Sequence, residues 1–213
     1  MSRLGRNKSG RGFSLLEVMV AITVLTIGLI SVAALATTML ATGKRSKYMA
    51  LASTLASEKL EDLNRYPTDA PQVCVPTGNT TAGSLATGAS ETPVSVTCPT
   101  GTTGSVPYGD DVDISFGQGN ATCPNEGGCF AEQVSSVSNG TTQYITTFHS
   151  PDGVINTTTP SSTPSSQTMT FHRQWLIEAN TPVTGVRRIT VLVLMVNNTV
   201  NPPVSFQMST VRP

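Results

Sequence analysis

The chain has 213 residues, of which 12% are charged, with a formal net charge of zero; it is long enough for one domain with a core plus an anchor. Its abundance of Thr, Ser, Gly, Pro and Asn favours an extracytoplasmic, loop-rich β protein over a cytosolic enzyme. Basic residues bracket residues 12–43, whereas beyond Tyr48 six Lys or Arg stand against twelve Asp or Glu, so nucleic-acid binding through a basic globular surface is disfavoured.

Arg3, Arg6, Lys8 and Arg11 lead into an apolar run, and Val18 to Thr42 is 25 residues without a formal charge. About 20 residues suffice to cross the hydrocarbon as a helix. The basic leader predicts that the N-terminus stays cytoplasmic and that everything after Lys44 is exported. Three readings compete: a cleaved secretory signal, a plain signal anchor, and a segment cut ahead of its apolar core. Ala34-Leu35-Ala36 fits a small-x-small signal cleavage site. Against that reading, the apolar core from Leu15 exceeds the roughly 7 to 15 residues usual for such signals, and Glu17 sits inside it.

Gly12-Phe13-Ser14-Leu15-Leu16-Glu17, between a basic leader and a long apolar helix, resembles the prepilin signature of type IV pilins and type II secretion pseudopilins. The resemblance implies that residues 1–12 are a leader removed between Gly12 and Phe13 by a prepilin peptidase. It also implies N-methylation of the new Phe13 amine. An ionised carboxylate at mid-bilayer costs about 2.5 to 3.5 kcal/mol, less near an end, and a charge pair about 4 Å apart at a dielectric near 20 returns about 4 kcal/mol. A neighbouring subunit's Phe13 amine is the partner the resemblance implies for Glu17, which then favours assembly and sets axial register. The plainer alternative is that Glu17 complements the helix dipole, worth about 0.3 to 1 kcal/mol.

The helix continues past the membrane. Tyr48, Met49, Leu51, Ala52, Leu55, Ala56, Leu60 and Leu63 fall on one half of a helical wheel, with Ser53, Thr54, Ser57, Glu58, Glu61, Asn64 and Arg65 on the other. Lys59 points into the apolar half and is expected to snorkel; Pro67 makes Tyr66 the expected last residue. Residues 13–43 are thus the transmembrane or filament-core half and residues 44–66 the amphipathic half, together about 80 Å long at about 1.5 Å per residue.

Residues 67–213 form the expected β domain. Its first part, 67–167, is loop-rich, with strand-like alternation at Val94 to Cys98, Val112 to Phe116 and Gln143 to Phe148, and a flexible loop over Asn156 to Gln167. Residues 168–213 hold three strands: Thr168 to Ala179, Val186 to Val196, and a segment where Val204, Phe206 and Met208 alternate with polar residues. Val186 to Val196 is apolar on both parities from Ile189, as for a strand covered on both faces. The predicted fold class is α+β: a long N-terminal helix packed on an antiparallel sheet with disulfide-stapled loops, which is the type IV pilin fold that the signature implies. Arg187-Arg188 opening one strand and Ser209-Thr210-Val211-Arg212 closing another resemble PilV-type minor pilins.

Cys74, Cys98, Cys123 and Cys129 lie on the expected exported side, where two disulfides form by one of three pairings; Cys74 with Cys98 and Cys123 with Cys129 is the favoured set. Their spacings lack the paired pattern of a zinc site. His149, in an expected loop, and His172, in an expected strand, belong to no catalytic motif. Asp110, Asp111 and Asp113 beside Gly109 read as a solvated acidic turn, since Phe116 breaks the calcium-loop pattern. No metal, cofactor or catalytic residue is expected. The reading is a structural minor pilin, held in the inner membrane with its C-terminal domain periplasmic and then built into surface pili that serve motility or adhesion. Its expected partners are the prepilin peptidase and other pilins met through the helix. The alternatives are a type II secretion pseudopilin and a membrane-anchored periplasmic binding domain or enzyme.

Overall fold

The computed structural model describes residues 14–86, 93–114, 130–138, 140–150, 153–157, 160–162, 170–196 and 202–213. One helix, α1 (Leu15–Arg65), precedes the strands β1 (Thr81–Gly83), β2 (Val94–Thr97), β3 (Thr103–Val106), β4 (Gly109–Asp113), β5 (Phe130–Ser138), β6 (Thr141–Ser150), β7 (Gly153–Thr157), β8 (Thr170–Ala179), β9 (Arg187–Met195) and β10 (Ser205–Arg212). The chain divides into two units, Met1–Lys44 and Arg45–Pro213.

In the first unit the described residues are helical from Leu15 onward. By length and composition this helix can cross a membrane, and its apolar side chains stand outward, Leu15 at 79% and Ile30 at 70% exposure. The hydroxyls of Thr23, Thr26, Ser31, Thr37, Thr38 and Thr42 each donate to a backbone carbonyl three or four residues earlier. That leaves the segment without a bare hydroxyl donor, the condition for polar groups in hydrocarbon.

In the second unit, the rest of α1 lies on the sheet through Ala52, Leu55, Ala56, Leu60 and Leu63, all buried, with Tyr48, Met49 and Leu51 half-buried beside them. These are the residues that the wheel placed on the apolar half. The helix ends at Arg65, one residue before the expected stop. Its cover is an eight-stranded antiparallel sheet in the order β10-β9-β8-β4-β5-β6-β7, with β1 pairing β8 beyond the end of β4. The fold is therefore α+β, a long N-terminal helix on an antiparallel sheet, as the pattern predicts.

The three C-terminal strands form and pair consecutively, with Phe171 opposite Met195, Trp175 opposite Val191 and Phe206 opposite Val193. Phe171, Trp175, Ile177, Ile189, Val191, Val193 and Met195 put the core on the helix side. The other side of β9 departs from the expectation: Thr190 is buried, but Leu192 and Leu194 are only half-buried. Apolar residues on both parities thus mark one fully covered face, not two. The expected loop over Asn156 to Gln167 begins inside β7, whose Asn156 pairs Phe148 across from β6.

Strands β2 and β3 form a separate two-stranded sheet whose Val96 and Val106 enter the same core. A disulfide between Cys74 and Cys98, with Cα atoms 5.7 Å apart, ties this hairpin to the segment after α1. Cys123 and Cys129 lie outside the described residues. Where β1 passes β8, only glycine fits at position 83: a Cβ there would sit 2.2 Å from the Trp175 carbonyl oxygen, and φ is +84°.

Candidate functional site

Two places in the chain gather chemistry, one in each unit. The first is the start of α1. The Ser14 carbonyl accepts from the backbone N–H groups of Glu17 (3.0 Å) and Val18 (3.2 Å), opening the helix. Glu17 therefore stands in the first turn, exposed, and is the only acidic residue of the first unit. Gly12 and Phe13, at the expected cleavage site, lie outside the described residues.

The second is a charge cluster between α1 and the sheet. Lys59 does not snorkel. Its Nζ lies 2.8 Å from Asp110 Oδ2 and 3.2 Å from Glu132 Oε1, and 4.4 Å from the centre of the Trp175 ring. Asp110 on β4 faces Arg173 on β8 across the ladder, and the Arg173 Nε and Nη2 groups donate to both of its carboxylate oxygens at 2.7 and 2.9 Å. Nη2 also reaches Glu132 Oε2 at 2.9 Å. Two cations and two carboxylates thus cancel where Asp110 is 0% and Arg173 1% exposed, the arrangement a buried charge requires. The expected solvated turn at Asp110 to Asp113 is instead a strand, whose Asp110 meets cations that the sequence places 51 residues before and 63 residues after it.

The environment sets the protonation of these groups. Burial pushes Asp110 up, against the pull of Arg173 and Lys59. Burial also acts to raise Glu132, but Lys59 and Arg173 outweigh it and hold this carboxyl well below the usual range. Burial works to lower Lys59, and Asp110 and Glu132 reverse it, keeping the amine above its ordinary value. Glu58, on the neighbouring helix position, is raised by burial.

Around the cluster, His149 lies on β6 and not in a loop. Its ring stacks on Phe130 at 4.5 Å, with Nε2 3.3 Å from Glu132 Oε2. His172, on the opposite sheet face, places Nδ1 3.0 Å from Asp111 Oδ1. Both histidines serve neighbouring carboxylates. A cavity of about 320 Å³ opens beside the cluster, with Lys59, Asp62, Tyr66, Glu132, His149 and Trp175 in its wall. Among the described residues no group of three or more His, Cys, Asp or Glu is placed to hold a metal ion.

Residues 7–33 match the family model of the prokaryotic N-terminal methylation motif. That prepilin-type motif, over 27 residues at the start of the chain, supports a type IV pilin-like prepilin. It spans Gly12 to Glu17 and the first part of the exposed apolar helix. Searches of curated proteins and of solved structures found no match. The motif implies processing by a prepilin peptidase and assembly of the pilin kind; it serves pilins and pseudopilins alike.

The β domain also uses residues whose roles the sequence did not disclose. Arg212 donates to the carbonyls of Leu63 (3.3 Å) and Tyr66 (2.9 Å), closing the C-terminal end of α1. Arg187 donates to the Thr68 and Val73 carbonyls in the segment that follows. Two of the three arginines of the C-terminal resemblance, Arg212 and Arg187, are thereby tied to the end of α1 and to the segment after it, a connection that strand patterns alone do not reveal.

Proposed function

We propose that this chain is a minor pilin of the PilV type, built into type IV pili and acting in their initiation or modulation, and so in motility or adhesion. In this reading residues 1–12 are removed by the prepilin peptidase between Gly12 and Phe13, and Phe13 is N-methylated. Residues 13–43 hold the chain in the inner membrane and then in the filament core, residues 44–66 join the helix to the β domain, and residues 67–213 face the periplasm and later the cell surface. The partners are other pilins met through the helix.

The observation that carries this reading is the methylation motif running directly into a helix whose apolar side chains are exposed, with Glu17 the one carboxylate in its first turn. Fifteen large apolar side chains from Leu15 to Leu40 stand at 45% exposure or more, and lipid or the helices of neighbouring subunits are the surroundings that suit them. A charge at Glu17 is costly in hydrocarbon unless paired, and the methylated Phe13 amine of an adjoining subunit supplies that pair. The PilV assignment rests on the Arg187-Arg188 strand and the closing Ser209 to Arg212.

A Glu17→Val variant expressed beside the other pilins tests the assembly role. It is expected to reach the membrane at normal levels and to be at least tenfold depleted from sheared filaments. Normal incorporation would overturn it. The motif is shared with pseudopilins, and the same fractionation separates the two: a pseudopilin stays with the cells when filaments are sheared.

A further inference from the structure

The buried cluster holds an amine, a carboxyl and a second carboxyl in contact. Lys59 Nζ is 2.8 Å from Asp110 and 3.2 Å from Glu132, and Arg173 Nη2, on Asp110, is also 2.9 Å from Glu132. The three groups come from α1, β4 and β5, and Arg173 grips both oxygens of Asp110. An exposed ion pair is held by Coulomb attraction alone, but a dry, oriented amine and carboxyl are also the two reactants of an amide condensation.

We propose that Lys59 and Asp110 form an intramolecular isopeptide bond, with Glu132 carrying the proton and Arg173 polarising the acceptor carboxyl. The Lys59 ammonium gives up a proton, by way of Glu132, to an Asp110 oxygen. The free Nζ attacks Asp110 Cγ, and the Arg173 N–H groups stabilise the oxyanion that develops. Glu132 takes the second proton from Nζ and passes it to the departing hydroxyl. One N–C bond forms, one C–O bond breaks and one water leaves, with no change of oxidation state.

Four features favour this course. The first proton transfer leaves Arg173 and Glu132, 2.9 Å apart, as a matched pair, so no lone charge is stranded in the core. Burial pushes Asp110 toward its protonated form, and because Asp110 and Glu132 hold the proton on Lys59, the amine becomes free only in the step that neutralises Asp110. Holding both reactants in one geometry replaces a bimolecular step by an effective concentration of up to about 10⁵ to 10⁸ M, and the adjoining cavity, with Lys59 and Glu132 in its wall, receives the water released. The product removes two of the four buried charges and their desolvation cost. It would fasten α1 covalently to β4, whether or not the chain enters pili.

The test is the intact mass of the full chain, purified from membranes in detergent, then unfolded, reduced and alkylated, and referred to its observed N-terminus. The expected mass is one water below that of the sequence, with a branched peptide joining Lys59 to Asp110 after digestion. Lys59→Arg, which keeps the charge, should show the full mass, and Glu132→Gln should form the bond at least tenfold more slowly. Full mass in the unaltered chain would overturn the proposal, as would a water loss that maps to Asp152-Gly153. Bond formation at an unchanged rate in Glu132→Gln would remove Glu132 from the mechanism.

Discussion

Arg173 and Arg188 lie 15 residues apart and both make bidentate contacts to a carboxylate, yet their surroundings assign them different weights. The Arg173 side chain is 1% exposed and neutralises Asp110 and Glu132 in the core; that of Arg188 is 42% exposed and pairs Glu178 at the rim. Breaking a buried pair leaves an uncompensated charge, so Arg173→Met should cost about 3 to 5 kcal/mol, whereas Arg188→Ala should cost far less, as for an exposed pair. Denaturant unfolding of the full chain in detergent decides; equal losses would mean that the cluster adds nothing beyond a surface pair. Acid should act through the same place. Glu132 is depressed on folding, so its stabilisation is complete above the unfolded glutamate value of about 4.3 and is lost as pH falls through the folded value. Unfolding midpoints should therefore drop below about pH 4, and Glu132→Gln should flatten that decline; an unchanged slope would assign the acid loss elsewhere. Lys59 and Asp110 were misread from sequence for one reason. Each looks solvated by its neighbours in the chain, and the partner that justifies its burial lies on another element.

At the level of elements, strands with apolar residues on one parity were legible, and those with polar inward positions were not. In β8, Phe171, Trp175 and Ile177 alternate plainly, and the β8-β9-β10 order followed from them. In β5, Glu132 occupies an inward position and serines fill much of the rest, so no apolar period marks the strand. Asn156 and Thr157 disguised β7 as loop. The helix end was legible through Pro67, but its closure by Arg212 was not, because that contact joins residues 146 positions apart. Arg212→Ala should leave the last carbonyls of α1 without their cation and cost about 1 kcal/mol, read as a lower thermal midpoint; no change would show that water replaces the guanidinium. The Cys74–Cys98 bridge encloses a separation of 24 residues. Its removal in a double Cys→Ala variant should cost about 2 to 4 kcal/mol, and an unaltered midpoint would mean that the β2-β3 hairpin is held by Val96 and Val106 alone.

For the molecule as a whole, the methylation motif lies within its first 33 residues, and the contacts that stabilise the domain lie in the rest. The methylation motif was readable because it is a short local pattern of Gly, Phe and Glu before an apolar helix. What the β domain adds depends on contacts between distant residues, which a local pattern does not carry. We propose that Gly12-Phe13 is a processing site and that the processed chain enters filaments. Intact mass and N-terminal sequencing of the chain from membranes and from sheared filaments test it most directly. The prediction is a chain beginning at N-methylated Phe13 in both fractions. A chain beginning after Ala36, or one that keeps residues 1–12 and is missing from filaments, would contradict it.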